Sequence, residues 1–370
     1  MAEPLKNQFG PDVPERIASM ISAVSPDFEV ARFLSLSLDG YDDLELTPRA
    51  RQIASAMAET LPENRAEALD IVVRSFGPEL EGAELTGMAA FLYLPHVFFI
   101  AEYGLDHFEE AMRAQHEVTR RFTAEFSIRA YLERYPDETL DRLRAWSSDP
   151  SVHVRRLVSE GTRPRLPWAP RLKDFQRDPS PVLDLLERLK DDPEEYVRRS
   201  VANNLNDIAK DHPEVVVDVA RRWWKDGDRN RRRLVRHGLR TLIKAANPDA
   251  LDVLGFGPDS PARVADIRCS PTRVAIGERV RIEIDVENPA VESAGALVDF
   301  RVHFVKANGT TSPKVFKGGE VELEAGASTT VKKTVSLRQH STRTHYPGRH
   351  RVDVLLNGVT VDGPDFDVVA

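Results

Sequence analysis

The hydrophobic periodicity of the chain changes near residue 255, and this change constrains the fold more than any other feature. Up to that point apolar residues recur at helical spacing, and Asp, Pro and Gly separate the segments. Beyond the Gly- and Pro-containing stretch 255–261, apolar and polar residues alternate, as at Val280, Ile282, Ile284 and Val286. The sequence therefore predicts a multidomain α-then-β protein, with the helices first and the strands second.

The strand-forming part has the pattern of a β-sandwich. Alternation returns in three further runs, at 298–304, 331–337 and 352–356. The runs are separated by the turn signals Asn288-Pro289, Asn308-Gly309, Gly318-Gly319, Pro347-Gly348 and Asn357-Gly358. Short antiparallel strands at this spacing are typical of an immunoglobulin-like sandwich of about 100 residues. Because Cys269 is the only cysteine, an internal disulfide is excluded and a reducing compartment is expected.

A weak internal repeat predicts how the helices are arranged. The segment Asp149–Val158 (DPSVHVRRLV) is echoed by Asp192–Val201 (DPEEYVRRSV), and Arg231–Arg236 is a looser third copy. An outer helix, an Asp-Pro turn and an inner helix opening with Val-Arg-Arg form a HEAT-like unit, and stacked units make an α-helical solenoid with a concave face. We therefore expect a HEAT-like domain at 1–254, a linker at 255–262 and the sandwich at 263–370.

Charge is segregated along the chain. The net charge is −8, but residues 1–149 carry 14 Lys/Arg against 27 Asp/Glu, residues 150–245 carry 22 against 15, and residues 246–370 carry 15 against 17. A basic middle third in an acidic protein is what a polyanion-binding face requires. Solvated helix faces would give the same counts, so the charge alone leaves both interpretations open.

Missing motifs disfavour several classes of function. The chain has no Cys/His zinc spacing, no P-loop, no dinucleotide fingerprint and no nucleophile elbow, so we expect neither a metal nor another cofactor. The N-terminus lacks the pattern of an export signal, and no apolar stretch reaches the roughly 20 residues that span a bilayer. We therefore expect a cytoplasmic protein without membrane attachment.

Three carboxylates stand among basic, polar or aromatic neighbours on segments expected to be helical. Glu125 lies four residues from an arginine on either side, Glu160 follows Arg156 by four residues, and Asp207 follows a run of asparagines. Each could be a catalytic acid. Pairs at i,i+4 also stabilise a helix by about 0.2–0.5 kcal/mol with no other role. Trp168 likewise could stack on a base or anchor the core, and the residues alone do not choose.

Longer motifs carry a resemblance that covers the whole helical part. They are Ala2–Gly10 (AEPLKNQFG), Glu125–Arg129 (EFSIR), Ser159–Ala169 (SEGTRPRLPWA), Ser200–Asp207 (SVANNLND) and Arg236–Lys244 (RHGLRTLIK). Together they resemble the AlkC branch of the HEAT-like-repeat DNA alkylation repair glycosylases, in the subgroup with a C-terminal immunoglobulin-like domain. The Ser159–Ala169 run is the most specific. Ala130 departs from the family, in which proline is expected there.

The resemblance implies a monofunctional DNA glycosylase of base excision repair. Such an enzyme hydrolyses the N-glycosidic bond of cationic alkylated bases in duplex DNA, leaves an abasic site and acts without base flipping. N3-methyladenine is the first expected substrate, with N3-methylcytosine and N1-methyladenine as further candidates. The resemblance also implies that Glu125, Glu160 and Asp207 are the catalytic acids, with Arg156 and Trp168 shaping the site. Carboxylates suit this chemistry because the cationic base is already a good leaving group, which leaves charge on the sugar to stabilise and a water to position.

The expected partner is double-stranded alkylated DNA, bound by a monomer that needs no obligate protein partner. Candidate DNA contacts in the helical part are Arg163, Arg198, Arg199, Arg231, Arg232, Arg233, Arg236, Arg240 and Lys244. In the sandwich, the basic loop 339–350, with Arg343 and His345, could enter a groove or be an ordinary hairpin connection. Two alternatives stay open: a non-catalytic HEAT-repeat scaffold, and a damage-recognition protein that does not cut.

Overall fold

The chain forms two compact units. The computed structural model describes residues 5–80, 82, 89–257, 259–339 and 343–370, so the first three residues of the N-terminal motif and residues 340–342 of the basic loop lie outside it. The first unit comprises the residues up to Pro213 together with Gly227–Gly238, and the second comprises Glu214–Asp226 together with Leu239–Ala370. The three-part division expected from the sequence stays a prediction.

The helices of the described residues are short. They are α1 (Asp12–Ser22), α2 (Val30–Leu38), α3 (Leu46–Thr60), α4 (Arg65–Ser75), α5 (Leu94–Tyr103), α6 (Phe108–Thr119), α7 (Ser127–Arg134), α8 (Pro136–Trp146), α9 (Val152–Gly161), α10 (Lys173–Arg177), α11 (Ser180–Leu189), α12 (Glu195–Ile208), α13 (Pro213–Lys225), α14 (Arg229–Gly238), α15 (Arg240–Lys244) and α16 (Pro248–Val253). Short 3₁₀ helices lie at Leu5–Gln8, Tyr41–Asp43 and Ala89–Tyr93. Helices α15 and α16, and all of α13 after Pro213, belong to the second unit.

Helices α9 and α12 begin with the same turn, as the repeat predicts. Asp149 Oδ1 accepts a hydrogen bond from the Ser151 N–H at 2.8 Å, and Asp192 Oδ1 accepts one from the Glu194 N–H at 2.9 Å. These side chains satisfy backbone N–H groups that a helix start leaves unpaired. Helix α9 packs against α12, and α12 packs against α14. The predicted class, a helical part followed by a β-sandwich, is confirmed.

The first arginine of each Arg-Arg pair holds the repeat turns together. Arg155 donates to both carboxylate oxygens of Asp192, at 2.6 and 3.1 Å, and to the Asp149 carbonyl at 2.9 Å. Arg198 occupies the same position in the next repeat and donates to the Asp192 carbonyl. Asp192 is only 7% exposed, so these bonds are shielded from solvent. The guanidinium groups of Arg155 and Arg198 are thus engaged in the scaffold.

The second unit contains two sheets that enclose an apolar core. The strands are β1 (Arg263–Ser270), β2 (Arg273–Ala275), β3 (Arg279–Glu287), β4 (Ala294–Val305), β5 (Thr311–Leu323), β6 (Ser328–Ser336), β7 (Gly348–Leu356) and β8 (Val359–Val369). One sheet has the order β1-β3-β6 and the other the order β2-β8-β7-β4-β5. The residues that alternate in sequence, such as Val280, Ile282 and Ile284, are fully buried between the sheets. The structure therefore confirms the predicted runs as β3, β4, β6 and β7.

Two of the predicted turns have different outcomes. Asn357 and Gly358 both have positive φ, at 50° and 79°, and join β7 to β8 as a tight hairpin. Gly318-Gly319 is not a turn, because both residues lie inside β5, at a register shift opposite Val298 and Asp299. A Cβ on Gly318 would stand 2.5 Å from the Val298 carbonyl oxygen. The glycines therefore allow a β-bulge, in which two backbones approach closely.

None of the helices formed by the described residues is both long and apolar enough to cross a bilayer. The single cysteine, Cys269, is a buried free thiol in the core of the sandwich. Burial raises the pKa of this thiol to about 11, so it stays protonated and chemically inert at neutral pH.

Candidate active site

The three candidate acids meet in the first unit in a row of alternating charge. We name Glu125, Arg156, Glu160, Arg163 and Asp207 the acid row. Glu125 lies in the turn before α7, Arg156 and Glu160 on α9, Arg163 just after α9, and Asp207 on α12. The row therefore draws on two helices, α9 and α12, and on the chain just before α7 and just after α9. The packing of α9 against α12 brings residues 44 positions apart into contact.

Each neighbour in the row is joined by an ion pair. Arg156 Nη1 donates to Glu125 Oε2 at 2.9 Å, and its Nη2 stands 3.6 Å from Glu160 Oε1. Arg163 Nη1 donates to the same Glu160 oxygen at 2.7 Å, while its Nε donates to Asp207 Oδ2 at 2.8 Å. The two arginines thus bridge the three carboxylates and hold them beside one another.

The surroundings of Glu125 differ from those expected. Glu125 is not on a helix, and neither nearby arginine pairs with it. Arg121 donates to the Glu117 carboxylate at 2.9 Å and to the Gly77 carbonyl at 2.6 Å. The expectation that Glu125 lies on a helix is therefore wrong, because the chain turns between α6 and α7, and the alternative of a local i,i+4 pair does not hold at this residue. Its partner Arg156 lies 31 positions further along the chain, where sequence spacing gives no signal.

Three residues that the sequence did not single out complete the row. Ser200 donates to Glu160 Oε2 at 2.5 Å, Lys210 donates to Asp207 Oδ1 at 2.9 Å, and Thr123 donates to Glu125 Oε2 at 3.0 Å. Ser200 had a detectable signal, because it lies seven positions before Asp207 and so shares its helix face. Thr123 had none beyond its proximity to Glu125 in sequence.

Burial increases along the row from Glu125 to Asp207. The side chains are 14% exposed at Glu125, 8% at Glu160 and 2% at Asp207. Among the described residues, none donates to Oε1 of Glu125, since both of its hydrogen bonds go to Oε2. Glu125 is therefore the acid with a carboxylate oxygen left for another molecule.

Electrostatic interactions keep the buried centre of the row ionised. Burial alone would raise the pKa of Glu160, but Arg156, Arg163 and the hydrogen bond from Ser200 outweigh it and bring this pKa below its usual value. Burial also opposes the charge on Arg156, yet Glu125 and Glu160 raise the pKa of this guanidinium above its usual value. Glu160 and Arg156 are therefore a carboxylate and a cation at neutral pH.

Arg129 fixes the turn that carries Glu125 against the loop after α9. It is 4% exposed and donates to the carbonyls of Gly161 at 3.2 Å, Arg163 at 2.8 Å and Pro170. Burial lowers the pKa of Arg129 to about 10, which leaves it protonated at neutral pH. This buried cation donates hydrogen bonds to carbonyls at both ends of the loop, and it thereby positions the residues from Arg163 to Pro170.

Trp168 stands out on this loop. Its side chain is 78% exposed, so it is not the packing anchor that the sequence left as an alternative. Its φ is +65°, in the left-handed region that a non-glycine residue adopts at a cost of roughly 1–3 kcal/mol. The loop therefore holds a large aromatic ring in solvent by means of a strained backbone, an arrangement that is typical of functional positions.

The predicted DNA contacts of the helical part have varied surroundings. Arg163 is 8% exposed and bridges two acids, and Arg231 donates to Asp191 at 2.6 Å. Arg199 is exposed beside the Tyr196 ring, and Arg233 is exposed beside Glu195 at 3.0 Å. Exposed cations also occur at Arg232, Arg240 and Lys244, and Arg236 is half-buried. The contacts themselves stay predictions.

A groove between α12 and α14 gathers part of this positive charge. It has a volume of about 260 Å³ and is lined by Arg198, Arg199, Arg233, His237 and Asn230, with Glu195 at its edge. Both helices belong to the first unit, so the groove and the acid row lie in the same compact unit. Phosphate is the ligand that such a cluster of arginines favours.

The sandwich loop presents a second basic site. Arg343 lies over the Phe304 ring at 4.5 Å, and the ring of His345 packs on the same phenylalanine at 5.3 Å. His345 is 3% exposed, so it supports Arg343 from within rather than facing solvent. Burial and the nearby Arg343 lower the pKa of Lys314. Two cations therefore stand close together here, although contact with DNA stays a prediction.

The carboxylates of the acid row are not arranged as a metal site. Among the described residues, no group of three or more His, Cys, Asp or Glu side chains has an arrangement that could hold a metal ion. The carboxylates of the acid row are instead bound to arginines, which compete directly with any cation for their oxygens.

Comparisons with known proteins bear on both parts of the chain. Residues 47–244 match the family described as "DNA alkylation repair enzyme", and residues 263–370 match the one described as "Uncharacterised protein YhaZ, C-terminal Ig-like domain". "Uncharacterized protein YhaZ" of Bacillus subtilis (strain 168) is 34% identical over 365 residues, 98% of this chain and 99% of the relative.

A solved structure extends the similarity to the fold. It is described as Pseudomonas fluorescens alkylpurine DNA glycosylase AlkC bound to DNA containing an abasic site analog. It matches this chain with a TM-score of 0.81 and 34% identity, over the full length of both chains. The resemblance inferred from the sequence motifs is thus confirmed, and this chain belongs to the DNA alkylation repair enzyme family, in a form that carries a C-terminal immunoglobulin-like domain.

Proposed function

We propose that the protein is a DNA glycosylase that hydrolyses the N-glycosidic bond of cationic alkylated bases in duplex DNA. The observation that carries this proposal is the convergence of Glu125, Glu160 and Asp207 in one ion-paired row. The P. fluorescens relative is described as an alkylpurine DNA glycosylase bound to abasic-site DNA, which supports the same substrate class. N3-methyladenine is the first substrate to test, followed by N3-methylcytosine and N1-methyladenine.

The chemistry needs negative charge beside the sugar. As the bond from C1′ to the base nitrogen breaks, the bonding electrons leave with the base and positive charge grows on the deoxyribose. Preorganised carboxylates stabilise that charge without having to reorganise during the reaction. Since Arg156 and Arg163 neutralise most of the row, the field at the sugar comes from oxygens that face away from the arginines. Oε1 of Glu125 is such an oxygen.

We assign the positioning of the attacking water to Glu125. It is the most exposed of the three acids, and Thr123 and Arg156 fix its other oxygen. A carboxylate held in this way can accept the proton that water loses as it adds to C1′. Water then forms the new C–O bond, so the product is an abasic site. No lysine nucleophile is required, which leaves the DNA strand uncut.

The base stays in the duplex until the bond breaks in this proposal. Glycosylases that rotate the base need a deep pocket around their catalytic groups. The cavity beside Trp168 that Phe91, Phe98 and Phe126 line includes none of the three acids in its wall, so bond cleavage belongs outside it. Trp168, which is exposed, then faces the duplex at the lesion, where its ring can fill the space that distortion opens, while Arg156 stays paired with Glu125 and Glu160.

The decisive experiment measures release of N3-methyladenine from alkylated duplex DNA, without added cofactors and at enzyme concentrations above that of the DNA. Glu125→Gln is expected to slow release by about a hundredfold or more, which is the range for loss of a general base. Binding to abasic-site DNA should stay close to that of the wild type, because the amide keeps the shape of the side chain. Glu110→Gln, an exposed change on α6, is the matched control and should release the base normally.

The same assay separates the two alternatives. DNA binding without release by the wild type would identify a damage-recognition protein. Neither release nor salt-dependent DNA binding would identify a scaffold. Release at equal rates by wild type and Glu125→Gln would remove Glu125 from its assigned role, while leaving the glycosylase in place.

A further inference from the structure

An aromatic cavity lies beside the acid row in the first unit. Its volume is about 250 Å³, and its lining includes Phe91, Phe98, Phe126 and Trp168. The Phe98 and Phe126 rings are close to parallel, at an interplanar angle of 29° with their centroids 6.5 Å apart. The cavity therefore offers several aromatic faces within reach of one another, which suits a flat heterocyclic ring.

The cavity and the acid row share their supports. Phe126 follows Glu125 directly in the chain. Arg129 lines the cavity and also donates to the Arg163 carbonyl at 2.8 Å. Its Nε–H is buried and finds no acceptor among the described residues. The wall also carries two glutamates, Glu102, which pairs with Arg51, and Glu133, which lies near Arg129. The cavity therefore adjoins the turn that carries Glu125 and the loop that carries Arg163.

We propose that this cavity, named here the base pocket, receives the released base as a neutral planar heterocycle once the glycosidic bond is broken. The inference rests on the proposed glycosylase function. A base methylated at a ring nitrogen is cationic while it is bonded to the sugar. When the bond breaks, the electron pair stays on the base and cancels this charge, while the attacking water gives its proton to Glu125 and then to solvent.

The change of charge determines which site each species prefers. The cationic base is favoured beside the carboxylates of the acid row. In the base pocket each glutamate lies near an arginine, Glu102 by Arg51 and Glu133 by Arg129, so no net negative charge offsets the desolvation of a cation there. The neutral base loses its attraction to the acids and gains stacking contacts in the base pocket. At about 250 Å³ the pocket is below the roughly 300–1,000 Å³ of sites for drug-sized ligands, so it fits one base and not a nucleotide.

The test fills the pocket without touching the acid row. Ala130 on α7 and Ala101 on α5 both line it, and Ala130→Leu and Ala101→Leu would each place a larger side chain in the cavity. Free N3-methyladenine is titrated into the full-length protein, with calorimetry and tryptophan fluorescence as readouts. The wild type is expected to bind it. Each filled variant should bind it about tenfold more weakly or worse, because an overpacked cavity has no room for the ring.

The controls separate pocket filling from misfolding and from the charge of the probe. Ala145→Leu changes an exposed alanine on α8 and should bind like the wild type. Thermal unfolding of each variant confirms that it is folded, and two independent filled variants guard against the failure of one. The 3,9-dimethyladeninium ion keeps its positive charge and mimics the base while still bonded. It should bind more weakly than N3-methyladenine.

The outcomes for the pocket and for the enzyme are distinct. The pocket is ruled out if the wild type does not bind N3-methyladenine, if both filled variants bind it normally, or if the permanent cation binds as tightly. Release of N3-methyladenine from DNA is measured in parallel in a single turnover. Release without binding of the free base overturns the pocket alone. Binding without release overturns the enzymatic function, and with it the role of the pocket in receiving a released base.

Discussion

At the scale of single residues, the site depends on arginines that are buried together with their carboxylates. Burying an ion is costly unless its partner has good geometry, and removing one partner leaves the other as an uncompensated charge. Arg163 compensates the two most buried charges, because the Glu160 and Asp207 side chains are 8% and 2% exposed and both accept hydrogen bonds from it. We therefore assign Arg163 to positioning these acids, rather than to the phosphate contact expected from the sequence.

Replacing Arg163 by alanine should destabilise the folded protein by about 3–5 kcal/mol, because Glu160 and Asp207 would lose a buried partner together. Urea unfolding measures this change. The matched control is Arg165→Ala, which removes an ion pair with Asp211 whose side chains are each more than 20% exposed. That loss should be about 0–1 kcal/mol, as for pairs that solvent reaches. Equal costs for both variants would contradict the assignment of Arg163.

At the scale of elements, the approach of α7 to α9 determines where Glu125 lies relative to Glu160. Gly161 ends α9 where α7 passes, and a Cβ there would stand 2.6 Å from Cγ2 of Ile128. Ile128 is fully buried and lies three positions after Glu125. The glycine therefore permits a close contact that holds the turn of Glu125 against the helix of Arg156.

Gly161→Ala is expected to destabilise the protein by about 1–3 kcal/mol through overpacking against Ile128. In an Ile128→Ala background the same change should cost less, because the methyl group that clashes is gone. Urea unfolding of the four proteins gives the coupling energy. Gly238→Ala serves as a comparison with a looser fit, since its Cβ would stand 3.2 Å from Leu205. A cost at Gly161 that is independent of Ile128 would show that the contact is not the cause.

At the scale of the whole molecule, an overall acidic protein is proposed to bind a polyanion. The net charge of −8 repels DNA, so binding must rely on the local excess of arginine and lysine between residues 150 and 245. Contacts to phosphate release counterions, and the number of such contacts determines how steeply affinity falls with salt. Salt dependence therefore reports which of the exposed cations contact the backbone.

Lys244→Ala should reduce the slope of log affinity against log salt concentration by about one, as expected for the loss of a single phosphate contact. Fluorescence anisotropy with abasic-site duplex DNA between low and physiological salt measures this slope. Arg32→Ala, on α2 in the acidic part and paired with Glu29 and Glu59, is the control that should leave the slope unchanged. An unchanged slope for Lys244→Ala would remove this lysine from the interface.

The order of the helices and strands could be predicted from the sequence, because each of these elements is determined largely by residues close together in the chain. The change of hydrophobic period near residue 255 reflects which faces of helices and strands are buried, and four predicted strands form as expected. The Asp-Pro turns of the repeat likewise depend on side chains that bond to backbone two residues away. Local alternation did not identify the bulge at Gly318-Gly319, since a glycine pair suits a turn and a close strand contact equally well.

The arrangement of the candidate site depends on contacts between residues distant in sequence. Motifs named Glu125, Glu160 and Asp207, but the pairing of Glu125 with Arg156 arises only when α7, α9 and α12 pack together. The same holds for Trp168, whose exposure follows from the carbonyls that Arg129 binds in its loop. Helical and strand periods are properties of a short stretch of chain, whereas the burial and pairing of a charge depend on every element that surrounds it.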